Sequence, residues 1–201
     1  MIRTPAALER TVKHLLTVTL KRKDQPVDIV YNFVFDRLRA VRQDCVLQNL
    51  KDITTINILT QCVRFHVVFG FLLSSLSIAR CVASRMILRI DIDFFVRFDP
   101  TINFAHQLEC LKSCLLLHHQ LQMDVNTREE MSHIYLLSNM GSQAPLVWAT
   151  QQDKLLRTRL RTSLDLSKSY QDRNYVRFFR IVHTLPTIHL LAVYKLSLIH
   201  I

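Results

Sequence analysis

Glycine is nearly missing from this sequence: only 2 of 201 residues, where average usage would supply roughly 14. Glycine-rich phosphate-binding loops need several closely spaced glycines, and tight hairpin turns need left-handed backbone that glycine supplies. Both are close to excluded, and long helices joined by short polar turns remain. Cysteine is sparse and odd in number, at Cys45, Cys62, Cys81, Cys110 and Cys114, with no C-x-x-C pair. That pattern does not make a disulfide framework and points to a reducing compartment. A signal-peptide apolar block is lacking, because the opening MIRTPAALERTVKHLL carries charge throughout. The most apolar stretch, Val67 to Ala79, falls short of the roughly 20 residues of a membrane span and is bracketed by Arg64 and Arg80. It reads as a buried helix, and no membrane association is expected.

Negative charge is also in short supply. Lys and Arg number 26 against 16 Asp and Glu, a formal net charge of +10. From Thr150 to Arg180 eight cations face three aspartates, a net +5 that holds half of the total. Such asymmetry suits a polyanion or an acidic protein surface, and it equally suits a solvated helix face.

Apolar residues recur at steps of three and four. Thr4 before Pro5 makes a hydroxyl N-cap with proline at the first helical position, and Leu8, Val12, Leu15 and Leu16 follow on one face. A second helix carries Tyr31, Val34, Leu38, Val41 and Cys45, and a third carries Ile58, Cys62, Phe65 and Phe69. Further helices are expected over 102–123, with Leu108, Leu111, Leu115 and Leu121 among its apolar positions, and over 127–140, where Thr127 and Glu130 form a capping box. The turn Gly141 to Pro145 ends the latter, and helices over 151–166 and 173–184 complete the set, with Pro186 closing the last. The fold class is therefore all-α, a stack of helix pairs. Residues 74–97 stand apart: their helical phasing is weak, and the run Ile87 to Val96 alternates as a strand would.

Parts for catalysis are wanting. Asp91 and Asp93 have D-x-D spacing without a third ligand, and the nine histidines form no H-E-x-x-H pair. Cys110 and Cys114, four apart beside Leu111 and Leu115, read as small core residues. No G-x-S-x-G elbow is present. No enzyme activity, metal, cofactor or small-molecule substrate is expected.

Two constellations are more specific. Between Tyr31 and Asp44 the charged residues Asp36, Arg37, Arg39, Arg42 and Asp44 sit among aromatics, as a partly buried network joining helices would. Between 150 and 180, Arg157, Arg159, Arg161, Arg173, Arg177 and Arg180 are candidate contacts for a partner or for nucleic acid. Arg173, Arg177 and Arg180 share one face at i, i+4 and i+7, with Val176, Phe179 and Val182 expected to pack inward.

The same segments resemble the SAC/GANP (Sac-three) family. The residues concerned are Arg3-Thr4-Pro5 with Leu8 and Thr11; Phe35-Asp36-Arg37 with Arg39, Arg42, Gln43 and Asp44; and Arg64-Phe65-His66. Phe98-Asp99-Pro100 with Ile102-Asn103, Glu130 with Tyr135-Leu136-Leu137, and Asn174 to Arg180 follow in the family's order. The layout looks most like the short members tied to centrosome and spindle. The resemblance implies a tetratricopeptide-like superhelix leading into a truncated PCI-type winged-helix region. It also implies a non-enzymatic scaffold of a nuclear or centrosomal assembly, in centrosome duplication and mitotic progression or in mRNA export at the nuclear pore. The implied partners are a PCI-domain protein and a small acidic subunit, and direct RNA or DNA binding is the alternative. Residues 1–195 would form the domain, with 74–97 an insertion or retained intron. Residues 196–201 back-translate to CTGTCTCTTATACACATC, similar to a transposase adaptor used in sequencing libraries, and are expected to be foreign to the natural sequence.

Overall fold

The Thr4 hydroxyl accepts from the Ala7 amide and proline fills the first turn, so α1 starts where the cap places it, at Pro5–Thr17. A single 3-10 turn, Thr19–Lys21, and a basic stretch ending at Pro26 separate it from α2, Val27–Leu47. The long α3, Ile53–Met86, follows, then α4, Pro100–Leu121, and α5, Val125–Leu137. The remaining helices are α6, Ala144–Thr150; α7, Lys154–Arg159; α8, Arg161–Gln171; α9, Tyr175–Val182; and α10, Thr187–Ile199. This computed structural model describes the backbone of residues 3–86, 99–121 and 125–199, and side chains for 3–74, 99–121 and 126–194. Among the described residues there is no strand, as the glycine-poor, helix-periodic sequence requires.

The chain divides into two compact units, residues 1–117 and 118–201. In the first, α1, α2 and α3 pack on one another. Leu8 and Val12 of α1, Val34, Leu38 and Val41 of α2, and Ile58 and Val63 of α3 are all closed to solvent where these helices pack. Tyr31 stacks on Phe65 and Phe69 at 5.5 and 5.6 Å between centroids, so the aromatic residues of α2 and α3 extend that core. By length and composition alone Ile53–Ser74 could cross a membrane, at a mean hydropathy of 1.6, yet 61% of that window is buried in the packing. Burial in a core explains its apolar character.

In the second unit α5 lies at the centre, packed by α8 and α10, with α6 and α7 covering it as well. Leu136 heads a cluster with Ala149, Leu156 and Leu160, and Leu146, Trp148 and Leu164 close over it.

Several expectations need correction here. The helix expected from Thr127 begins two residues earlier, so Thr127 lies inside the first turn and the capping box does not form the start. The turn expected over 141–145 lies over 138–143 instead, because α5 ends at Leu137 and Pro145 sits in the first turn of α6, where its missing amide costs nothing. The single helix over 151–166 is two, α7 and α8, meeting at Leu160. Pro186 precedes a further helix, α10, as well as ending the run before it. Ser74 to Met86, weakly phased in the sequence, continues α3. The alternating run 87–96, with Asp91 and Asp93, lies outside the described residues, as do the side chains of 196–201.

With glycine scarce, two helix ends are closed by other residues. After α2, Asn49 takes φ 50°, and the Leu50 amide donates to the Cys45 carbonyl while Asn49 donates to Val46. After α8, Arg173 takes φ 55°, with Asn174 donating to Ser169 and Arg173 to Tyr170. Both are Schellman closures, built on left-handed residues where glycine is usual.

Candidate partner-binding face and buried arginine centre

The α8–α9 corner sets up an exposed face. Arg173 turns the chain in the left-handed region, and the Asn174 side chain accepts from the Arg177 amide at 3.1 Å to cap α9. Phe178 and Val182, four apart, form the buried stripe, with Phe178 against the Tyr170 ring at 5.9 Å. Val176 and Phe179, expected to pack inward, are instead 74% and 55% exposed, and Tyr175 is 56% exposed. The reason is rotation: once Phe178 and Val182 are fixed inward, Phe179 is turned about 100° away from that stripe. Arg173, Arg177 and Arg180 are exposed beside these apolar groups. Arg177 reaches Asp165 on α8 at 3.5 Å.

The other candidate arginines behave differently. Arg159 Nη1 donates to Glu129 Oε2 at 2.7 Å, tying α7 to α5. Arg157 and Arg161 line a shallow cleft with Lys154, Thr158, Leu164 and Asp165. Beside Arg159 a second cleft holds Glu129, Glu130, His133 and His189. The His133 and His189 rings lie 4.7 Å apart, and His133 Nδ1 pairs with the Ser163 hydroxyl at 2.7 Å. Burial, reinforced by the His133 ring, pushes His189 down to about 4, and burial lowers His133 as well.

In the first unit, the expected charged network spreads over separate contacts. Arg42 is its hub: Nη1 donates to the His106 carbonyl at 3.3 Å and to Cys110 Sγ at 3.1 Å. Nη2 donates to His106 Nδ1 at 3.0 Å and Glu109 Oε2 at 2.7 Å, so α2 is bonded to α4. Asp44 Oδ2 accepts from Arg3 Nε at 2.7 Å, and Arg37 lies over the Phe33 ring at 5.8 Å. Asp36 and Arg39 are exposed, and Arg39 edges the small cavity beside Arg42.

Residue patterns gave no role to the other members of this centre. His66 Nδ1 donates to Asn103 Oδ1 at 2.6 Å, and Asn103 Nδ2 returns a bond to the His66 carbonyl at 3.1 Å. Phe35 stands edge-on to His66 and His106, at 5.5 and 5.1 Å. Asp99 Oδ1 caps α4 by accepting from the Thr101 amide and hydroxyl at 2.7 and 2.6 Å, which holds its carboxyl below the usual range. The segments Arg64-Phe65-His66 and Asp99-Pro100 through Asn103 thus have a physical reading: one caps α4, and together they bond α3 to α4. Among the described residues no cluster of three or more His, Cys, Asp or Glu is arranged to hold a metal ion.

Comparison with known proteins agrees in extent with these segments. The model of the SAC3/GANP family matches residues 1–196. Protein xmas of Drosophila melanogaster is 25% identical over 202 residues, covering 95% of this chain and 9% of that protein. SAC3 family protein B of Arabidopsis thaliana is 31% identical over 68 residues, covering 34% of this chain and 4% of that protein. The matched stretch thus covers less than a tenth of either relative's length.

Proposed function

Because the chain belongs to the SAC3/GANP family, we propose that it is a non-enzymatic helical scaffold of a nuclear or centrosomal assembly, with α9 as its docking face. The observation that carries this reading is the chemistry of that face. Tyr175, Val176 and Phe179 are large apolar groups left in solvent, flanked by Arg173, Arg177 and Arg180. Apolar groups with arginine at their border have the composition of an interface core and rim. The partner that fits is a PCI-domain protein presenting an apolar patch edged by carboxylates, with a small acidic subunit beside it. In this reading the helices continue a tetratricopeptide-like superhelix, and the assembly serves mRNA export or centrosome duplication.

Direct RNA or DNA binding by the same arginines is the competing reading. It is less well supported, because Arg159 is engaged by Glu129 at 2.7 Å and phosphates offer nothing to Val176 or Phe179. The test is titration calorimetry of the nuclease-treated chain against a recombinant PCI-domain protein, for wild type, Phe179→Ala and Arg180→Glu. Each variant should weaken binding by ~10-fold or more, in line with the loss of an aromatic or arginine anchor. Unchanged affinity in both variants would overturn the assignment of α9. Tight binding of an RNA oligonucleotide, falling linearly in log K against log salt, would favour the competitor.

A further inference from the structure

We infer that Cys62 and Cys110 form a peroxide-responsive dithiol that closes to a disulfide and staples α3 to α4. The two thiols line one small cavity between the helices, in hydrogen-bonding contact with each other. Each is 1% exposed, and they share the cavity with Arg42, His66 and His106, while Arg39 edges it on the solvent side. A core cysteine usually sits among hydrocarbon, where it is inert. Cys110 does not. Arg42 Nη1 donates to its sulfur at 3.1 Å, and the His66 ring is a second partner. His66 Nδ1 is committed to Asn103, which leaves Nε2 to meet the sulfur and receive its proton.

Three groups thus converge on one sulfur and favour its thiolate, and the attack of a thiolate is what peroxide chemistry needs. Their summed effect holds the Cys110 thiol well below its ordinary value, while Cys62 is pushed up and stays protonated. Cys45 provides the contrast, with burial pushing its thiol up to about 11. Cys114 has the Thr60 hydroxyl at 3.6 Å, a neutral group.

The reaction balances with hydrogen peroxide as the two-electron oxidant. The Cys110 thiolate attacks one peroxide oxygen, the O–O bond breaks, and hydroxide leaves, giving the sulfenic acid. The Cys62 sulfur then attacks the sulfenic sulfur, the S–OH bond breaks, and the departing hydroxide takes the Cys62 proton. Two thiols and one peroxide become one disulfide and two waters. Peroxide is the appropriate class of oxidant because the cavity is about the size of a water molecule and would exclude glutathione disulfide. Forming the bond brings the sulfurs to about 2.0 Å and takes the thiolate from Arg42 Nη1, which keeps the His106 carbonyl as acceptor.

Trypsin makes the test direct. Cleavage after Arg42, Lys51, Arg64, Arg97, Lys112 and Arg128 puts Cys45, Cys62, Cys110 and Cys114 on separate peptides. The folded chain is exposed to graded hydrogen peroxide, unfolded in urea that contains iodoacetamide to block the remaining thiols, digested without reductant and mapped by mass spectrometry. The 52–64 peptide should appear joined to 98–112, at ~10-fold or more the rate at which Cys45 or Cys114 is oxidised. In Cys62→Ser, where no resolving thiol remains, unfolding the peroxide-treated chain in urea that contains dimedone should label Cys110 as the sulfenic acid. If that variant fails to fold, by circular dichroism, the wild-type crosslink decides alone. Absence of the joined peptide while Cys45 and Cys114 oxidise, or equal rates at all four cysteines, would overturn the inference.

Discussion

Acidification should weaken the second unit at His189. This ring is 8% exposed, stands 4.7 Å from the His133 ring, and titrates at about 4 against about 6.5 for an unperturbed imidazole. Its folded-state value is depressed, so the unfolded chain binds the proton more readily. Stability is therefore intact above the unfolded value of about 6.5, declines as pH falls through the window, and levels off below about 4. At about 1.36 kcal/mol per pH unit, the depression to about 4 sets an upper bound of about 3 kcal/mol. The cleft is open to solvent on one side, and Glu129 and Glu130 oppose the shift, so about 1–2 kcal/mol is the expected loss. Asp153, held low by the Leu156 amide, acts only in the carboxylate range and leaves this window clean. Trp148 is the sole tryptophan and packs edge-on to Tyr135 in this unit, so urea transitions followed by its emission report the right region. Midpoints at pH 7.5, 6.5, 5.5 and 4.5 should fall in step, and His189→Gln should flatten most of the decline, with the part due to His133 remaining. A wild type of constant stability from pH 7.5 to 4.5, or a variant as pH-sensitive as wild type, would refute the reasoning.

Two further outcomes follow from packing and backbone. Leu136→Ala removes a fully buried side chain from the cluster with Ala149, Leu156 and Leu160, and should cost about 2–5 kcal/mol in the same urea assay. Arg173→Gly should raise stability by about 0.5–1 kcal/mol, because φ 55° is strained for arginine and free for glycine, while weakening any partner that uses the α9 face. A neutral or negative change in unfolding free energy for Arg173→Gly would show that the side chain stabilises the corner by other contacts.

Local periodicity carried far into this fold, and its failures have particular causes. The stripe Tyr31, Val34, Leu38, Val41 and Cys45 is buried throughout, because α2 meets α1 and α3 along one continuous line. The Thr4–Pro5 start was equally legible, since cap and proline act on their own neighbours. Proline misled twice for one reason: at Pro145 and before Thr187 it begins a helix, and its sequence signal alone does not distinguish a start from a stop. The closures at Asn49 and Arg173 were invisible because the expected signal there is glycine. On α9, Val176, Phe179 and Val182 fit a helical stripe as well as Phe178 and Val182 do, and only the position of Tyr170 decides between them. The arginine centre was half legible. Arg42 stood out by its setting, but its partners His106, Glu109 and Cys110 are more than sixty residues away, and spacing along the chain says nothing about them.

The strain at Arg173 bears on which reading of α9 is right. A left-handed arginine costs on the order of 1 kcal/mol that glycine or asparagine would avoid, and the Schellman bonds to Ser169 and Tyr170 need only backbone. Local folding therefore gives no reason for an arginine at that place. Its guanidinium stands at the entrance to a helix whose own exposed residues, Tyr175, Val176 and Phe179, are costly to leave in water. Two independent local penalties thus meet on one short face. A surface with only phosphates to contact would account for the arginine and leave the apolar groups unexplained. A protein partner accounts for both, because covering the aromatics and pairing the guanidinium are relieved in the same contact. Binding by Arg173→Gly should then fall while folding improves, a sign reversal between the two measurements. Parallel changes in both would mean that the residue belongs to the corner alone and that the docking face lies elsewhere.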